Sequence, residues 1–171
     1  MGKIVGIALI MSGVSGYLYQ WQKEQKRRFE KIESVILFLQ KSVFIMEAEN
    51  IKIAQLLDSY QTKEMILKET LSEISRRLKL NVYPSGEAVW EAVFKEKEQN
   101  WNIDAETFGL ILLAGNGFFG RNRGENICFL QKSIKELELQ KKKNREKDAK
   151  EKKVWIPVGM LGGIMLVILL I

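Results

Sequence analysis

The sequence contains no histidine and only one cysteine, Cys128, among its 171 residues. Without histidine, the chain lacks the usual general base and the commonest metal ligand. A single cysteine can form neither an internal disulfide nor a thiolate metal cluster. We therefore expect a protein that is not an enzyme and that binds no metal and no cofactor.

Proline is also scarce, with 2 residues, and glycine contributes 13. These values exclude collagen-like and proline-rich disordered chains. Charged residues make up 28% of the sequence, which excludes an ordinary polytopic membrane protein. The formal net charge is +6, because 27 Lys and Arg residues outnumber 21 Asp and Glu residues. An anionic partner therefore has to be considered.

Two stretches of the chain carry no charge, residues 4–19 and residues 154–171. The second stretch approaches the roughly 20 residues that cross a bilayer as a helix, and the first is at the short end of the range. We predict an N-terminal transmembrane helix at 1–21, a cytoplasmic helical bundle at 22–153 and a C-terminal transmembrane helix at 154–171.

Basic residues flank both uncharged runs on the side of the middle domain: Lys23, Lys26, Arg27, Arg28, Lys150, Lys152 and Lys153. The positive-inside rule places this domain in the cytoplasm and favours an uncleaved anchor over a signal peptide. The same residues form a candidate lipid-facing basic patch, because anionic lipid attracts basic residues near the membrane surface. A solvated helix face is the alternative. Interleaved aromatic residues are absent from the clusters, so we expect no nucleic acid partner.

Small residues recur at helical spacing within the two runs: Ala8, Ser12, Gly16, Gly159, Gly162 and Gly163. Such residues let membrane helices approach closely, so they are candidates for transmembrane packing and for a possible oligomer. The alternative is that glycine is simply common in membrane helices.

In the middle of the chain, apolar residues fall at spacings of three and four, which is typical of amphipathic helices. No stretch alternates with a period of two. We predict an all-α protein, a small bundle of five or six antiparallel helices of about 10 to 30 residues, flanked by the two transmembrane helices. Thr62, Ser85 and Asp104 are the predicted N-cap residues, and Pro157 should kink or cap the last helix.

Gly115, Gly117 and Gly120 match the pattern GxGxxG. A dinucleotide site needs a strand before this pattern, within a βαβ unit. The preceding segment has helical spacing, so we interpret the glycines as a tight turn between helices that brings Phe118 and Phe119 against the core.

Trp90 is the predicted core anchor, because it lies among Val89, Val93 and Phe94 at helical spacing. Cys128 has apolar neighbours on both sides. We therefore predict that it is a small buried hydrophobic residue.

Segments along the whole chain resemble the stage III sporulation protein AB family of endospore-forming bacteria. They are the acidic segment Met46–Ile51 with Ala54 and Leu57, Gly86 with Val89 and Trp90, the turn Phe119–Gly120, and the C-terminal run 159–171. In that family an Asp usually follows the turn by three residues and a Gln by about seven. Arg123 and Ile127 occupy those positions here, which separates this chain from the usual pattern.

The resemblance implies a non-enzymatic membrane platform subunit of a sporulation-specific, secretion-like complex between mother cell and forespore. The family's cytoplasmic domain is similar to the inner-membrane platform protein of type II secretion systems and type IV pili, which contacts a secretion ATPase. The implied partners are an operon-encoded secretion-type ATPase and other membrane subunits of the complex, at the mother-cell membrane around the forespore. A membrane-anchored helical adaptor or signalling protein unrelated to secretion stays open as the alternative.

Overall fold

The computed structural model describes residues 2–49, 51–81 and 83–170. In this part of the chain the helices are α1 (Gly2–Ala48), α2 (Ile53–Ser59), α3 (Met65–Leu80), α4 (Gly86–Glu96), α5 (Glu98–Trp101), α6 (Ala105–Ala114), α7 (Asn116–Phe119) and α8 (Arg123–Leu170). The described residues form no strand, so the prediction of a helical fold is confirmed for them.

The chain divides into two compact units. One consists of Met1–Arg27 together with Lys142–Ile171, and the other is Arg28–Lys141. Helices α1 and α8 each contribute residues to both units. The second unit, called the bundle below, contains the hydrophobic core.

The predicted fold class included two transmembrane helices, and this part of the prediction is wrong. Among the described residues, no helix combines the length and the apolarity that a membrane span requires. A membrane span needs about 20 predominantly apolar residues in succession. The described part of the first run is rich in small and polar residues, among them Ser12, Gly13, Ser15 and Gly16.

The core of the bundle is organised around α1, whose buried residues recur at helical spacing: Ile32, Val35, Ile36, Phe38, Leu39, Val43 and Met46. Phe38 is fully buried. Its ring centroid lies 5.0 Å from that of Tyr60, 5.6 Å from that of Phe118 and 6.4 Å from that of Trp90. One side chain of α1 therefore touches the end of α2, helix α7 and helix α4.

Helix α8 runs antiparallel to α1 within the bundle. Three side-chain pairs join them: Gln131 with Glu47, Glu138 with Gln40, and Lys141 with Glu33. The residue numbers rise along one helix as they fall along the other, which defines the antiparallel direction. Helices from the two ends of the sequence thus both contribute buried residues to the core.

The capping predictions hold for two helices. Ser85 and Asp104 each accept a hydrogen bond from the backbone amide three residues later, at 3.2 and 2.9 Å. These bonds satisfy amides that have no partner within the first helical turn. The N-cap of α3 is Glu64, and Thr62 instead accepts a hydrogen bond from the Glu64 amide just before the helix.

The predicted number and lengths of the helices are wrong. Helices α1 and α8 contain 47 and 48 residues, and α5 and α7 contain only 4 each. The long helices arise because the uncharged runs continue into the amphipathic segments without a break, and Pro157 lies inside α8. A helix of four residues spans about one turn, so its sequence cannot show a helical repeat. Such short helices form because of tertiary packing.

Cys128 is exposed, so the prediction of a buried cysteine is also wrong. Successive residues of a helix lie about 100° apart around its axis. Leu130 on α8 is fully buried, whereas Cys128 lies on the outward side with Phe129, which is 37% exposed. Apolar neighbours in sequence therefore do not place a helical residue in the core.

Candidate functional site

A surface cavity of about 250 Å³ opens in the bundle where α1 ends, α2 begins and α7 leads into α8. Met46 and Phe118 contribute buried apolar surface to its lining. Ile51 and Ile53 are partly buried, pack against the same core and also line the cavity. Apolar residues of the hydrophobic core and its edge therefore form part of the cavity lining.

The rim of the cavity is charged. Glu49, Arg121 and Arg123 line it, and all three are exposed. Nη2 of Arg123 donates a hydrogen bond to the backbone carbonyl of Glu49 at 3.2 Å, which ties the start of α8 to the end of α1. Two guanidinium groups and one carboxylate thus belong to the rim of the cavity.

A close contact between Gly120 and Asn126 fixes the turn on one side of the cavity. Nδ2 of Asn126 donates to the Gly120 carbonyl at 3.1 Å, and Asn126 is buried. A Cβ atom added at Gly120 would lie 2.1 Å from Oδ1 of Asn126. Glycine is required here because of this approach, since the backbone itself is in an ordinary extended conformation.

The other two predicted turn glycines also lie in the connection from α6 to α8. A Cβ atom at Gly115 would lie 2.4 Å from Cδ1 of Trp90, and one at Gly117 would lie 2.7 Å from Cγ of Leu130. The GxGxxG pattern thus marks positions where three side chains approach the backbone closely: Trp90 from before the turn, and Asn126 and Leu130 from after it.

Trp90, the predicted core anchor, is 1% exposed. Its Nε1 donates a hydrogen bond to the Ile111 carbonyl at 3.1 Å, which joins α4 to α6. Its ring centroid lies 4.7 Å from that of Phe94 and 5.4 Å from that of Phe118. Trp90 therefore supports α7, and through Phe118 it supports the inner surface of the cavity.

Two segments that carry the family resemblance meet in the fold. A Cβ atom added at Gly86 would lie 2.2 Å from Cδ1 of Phe119. Phe119 and Gly120 form the turn of the resemblance, and Gly86 is the first residue of α4, the helix that contains Trp90. The acidic segment that ends α1 and this same turn both contribute residues to the cavity.

A salt-bridge cluster between α3 and α4 was missed by the sequence reasoning. Arg77 donates to both carboxylate oxygens of Glu96, at 2.8 and 2.7 Å, to Glu73 at 2.6 Å and to the Tyr83 hydroxyl at 3.0 Å. Glu73 also accepts two hydrogen bonds from Arg76. Glu73 and Arg77 are four residues apart on α3, and this i,i+4 spacing predicts their ion pair. It does not predict the bond from Arg77 to Glu96 on α4.

These contacts shift the pKa values of the cluster. Hydrogen bonds from Arg76 and then Arg77 lower the pKa of Glu73 to about 2. Hydrogen bonds from Arg77 lower the pKa of Glu96, and hydrogen bonds to Glu96 and Glu73 raise the pKa of Arg77. All three groups stay charged at neutral pH, so the cluster acts as a structural clamp.

The predicted lipid-facing basic residues have different surroundings. Lys23, Lys26, Arg27, Lys150 and Lys153 are exposed. Nζ of Lys152 lies 6.0 Å from the ring centroid of Trp21, within the unit that contains both terminal segments. Arg28 belongs to the bundle, where its Nη2 donates to Oδ1 of Asn102 at 3.3 Å.

The predicted packing face of small residues lies partly outside the described residues: the side chains at Ala8, Gly159 and Gly163 are not described. Cβ atoms added at Gly16 and Gly162 would meet no other atom within 4 Å, and Ser12 is exposed. The packing face stays a prediction.

The described residues thus define a small all-α bundle with a basic-rimmed cavity, and in them no group of three or more metal-ligating side chains could hold an ion. The family model of stage III sporulation protein AB matches residues 3–171. The chain therefore belongs to the stage III sporulation protein AB family, as the resemblance predicted, and its role is related to sporulation. The family is not a known enzyme family.

A solved structure titled stage III sporulation protein AB is similar in fold. The two chains are 12% identical, the match has a TM-score of 0.58, and it covers 71% of this chain and 94% of the other. Among curated proteins, none matches this sequence.

Proposed function

We propose that this protein is a non-enzymatic platform subunit of a sporulation-specific, secretion-like complex between mother cell and forespore, and that it docks a secretion-type ATPase. The family match over residues 3–171 is the observation that supports this proposal most strongly. A platform subunit must present a fixed surface to its partner, and the bundle has a core rich in packed aromatic rings beneath such a surface.

A binding measurement with two purified proteins tests the docking. The full-length chain is titrated with the secretion-type ATPase encoded in the same operon, and binding is followed by isothermal titration calorimetry. We expect saturable binding with a defined stoichiometry. The matched control is Trp90→Ala, whose loss of packing should abolish binding together with the native fold. Absence of binding by the folded wild-type protein would contradict the proposal and favour an adaptor unrelated to secretion.

We further propose that the subunit associates with the surface of the mother-cell membrane through anionic lipid. Exposed Lys23 and Arg27 on α1 and exposed Lys150 and Lys153 on α8 belong to one compact unit that also contains Trp21. Each basic residue near an anionic surface contributes about 1 kcal/mol of attraction, and the attraction weakens as salt screens it.

Sedimentation with phosphatidylglycerol vesicles and with phosphatidylcholine vesicles tests the lipid contact. The full chain should sediment with the anionic vesicles and release progressively as salt rises. Replacement of Lys23, Arg27, Lys150 and Lys153 by Gln should reduce this binding strongly. Equal binding of the quadruple variant at low salt would contradict a role for these residues.

A further inference from the structure

We propose that the basic-rimmed cavity of the bundle binds an acidic segment of a protein partner, with a carboxylate of that segment held by the arginines at the rim. The inference rests on the proposed function, since the partner is the secretion-type ATPase. It names the surface and the chemistry of the contact, which the family match does not supply.

The charges on the rim favour a carboxylate. Arg121 and Arg123 line the cavity, and Glu49 is the acidic residue beside them. A guanidinium group binds a carboxylate through two parallel hydrogen bonds, which gives both strength and direction. Arg123 already donates to the Glu49 carbonyl, so its position is fixed. Arg121 is exposed and is the guanidinium group best placed to meet a partner.

The small size and openness of the cavity favour a protein segment over a small molecule. Pockets for small ligands usually enclose roughly 300 to 1,000 Å³, and this cavity is smaller and open to solvent. Protein interfaces commonly combine a desolvated apolar anchor with arginine contacts around it. Arg121 and Arg123 supply the arginine contacts here, and the core residues Met46 and Phe118 contribute to the lining beside them.

The cavity is also rigid enough to select a partner. The bond from Asn126 to Gly120 holds the turn, and the stacked rings of Phe118 and Phe38, with centroids 5.6 Å apart, hold α7 against α1. A preformed site loses less conformational entropy on binding than a mobile one. By contrast, the exposed apolar residues Leu37 and Phe44 on α1 have no comparable enclosure.

The test compares charge reversal at the cavity with the same change elsewhere. Full-length Arg121→Glu and the milder Arg121→Gln are titrated with the operon-encoded ATPase. The matched control is Lys68→Glu, at an exposed position of α3 that does not line the cavity. We expect Arg121→Glu to bind roughly tenfold or more weakly, Arg121→Gln to be intermediate, and the control to match wild type. Circular dichroism confirms that each variant is folded.

Charge exchange then identifies the partner residue. Each exposed acidic residue of the ATPase is replaced by Lys, and every variant is titrated against wild-type protein and against Arg121→Glu. At least one Lys variant should bind the wild type weakly and recover affinity with Arg121→Glu. If the wild type binds the ATPase but the Arg121 variants bind equally well, or if no exchange recovers affinity, the cavity assignment is overturned while the proposed function stands. If the wild type does not bind, both are overturned.

Discussion

Gly115 lies directly against the indole ring of Trp90, so close that a Cβ atom at position 115 would be 2.4 Å from Cδ1 and 2.6 Å from Cγ of that ring. The backbone at Gly115 is in the right-handed helical region, which alanine adopts readily. The requirement for glycine therefore comes from packing, and the ring cannot easily retreat because Trp90 is buried and hydrogen-bonded to Ile111.

Gly115→Ala should destabilise the protein by about 1–3 kcal/mol, because overpacking forces the indole from its position. The matched control is Gly109→Ala in α6, where an added Cβ would meet no atom within 4 Å. That change should stabilise by roughly 0.5–1 kcal/mol, since alanine favours helix interiors over glycine. Urea unfolding of the two full-length variants measures both values, and a stabilising Gly115→Ala would contradict the packing argument.

Trp90→Ala should destabilise by roughly 3–5 kcal/mol, because it removes a buried aromatic side chain and leaves a cavity. A small domain has only about 5–15 kcal/mol of stability, so the variant should lose much of its cooperative unfolding transition. Phe44→Ala is the control, since Phe44 is 70% exposed and its loss should change stability by less than about 0.5 kcal/mol. Similar unfolding curves for the two variants, recorded by circular dichroism, would be inconsistent with an anchoring role for Trp90.

The clamp around Arg77 predicts a specific dependence of stability on pH. The pKa of Glu73 is lowered to about 2 from an ordinary value of 4.5, so its ionised form favours the folded state. The resulting stabilisation is present above pH 4.5 and is lost as pH falls toward 2. Glu73→Gln should therefore be less stable than wild type at pH 6, with the difference shrinking through this range. Denaturant unfolding at several pH values measures the difference in the free energy of unfolding between the two proteins. A difference that does not change with pH would contradict the role of ionised Glu73.

Lys31 holds the end of α5 against α1. Its Nζ donates to the backbone carbonyls of Asn100 at 2.8 Å and Trp101 at 2.9 Å, at the negative end of that short helix. Lys31→Met keeps the aliphatic stem and removes both bonds, which should cost about 1.5–3 kcal/mol. Lys68→Met, at an exposed site on α3, should cost less than about 0.5 kcal/mol in the same thermal or denaturant experiment. Equal costs would show that the two bonds contribute nothing.

Local interactions explain which parts of the fold were predictable. The caps at Ser85 and Asp104 depend on residues three apart, and the stripe around Trp90 depends on one helical period, so both are visible in the sequence. The exposure of Cys128 was not visible in its sequence neighbours, because adjacent residues on a helix point in different directions.

The cavity depends on contacts that no local pattern encodes. Met46, Ile53 and Arg123 belong to three different helices, and they meet where the start of α8 is bonded to the end of α1. The pairing of Arg77 with Glu96 likewise joins residues of different helices. The family resemblance named segments on both sides of the cavity, but the bundle was needed to show that they meet.

The outward position of Cys128 gives the protein a natural attachment point for a spectroscopic label. It is the sole cysteine of the sequence and its side chain is exposed, so a maleimide fluorophore would react at one position without any engineered substitution. Helix α8 rises about 1.5 Å per residue, which places this position roughly 7–8 Å along the axis from Arg123. A fluorophore at Cys128 would thus report by its emission when the neighbouring cavity becomes occupied, and it would do so in the unaltered chain.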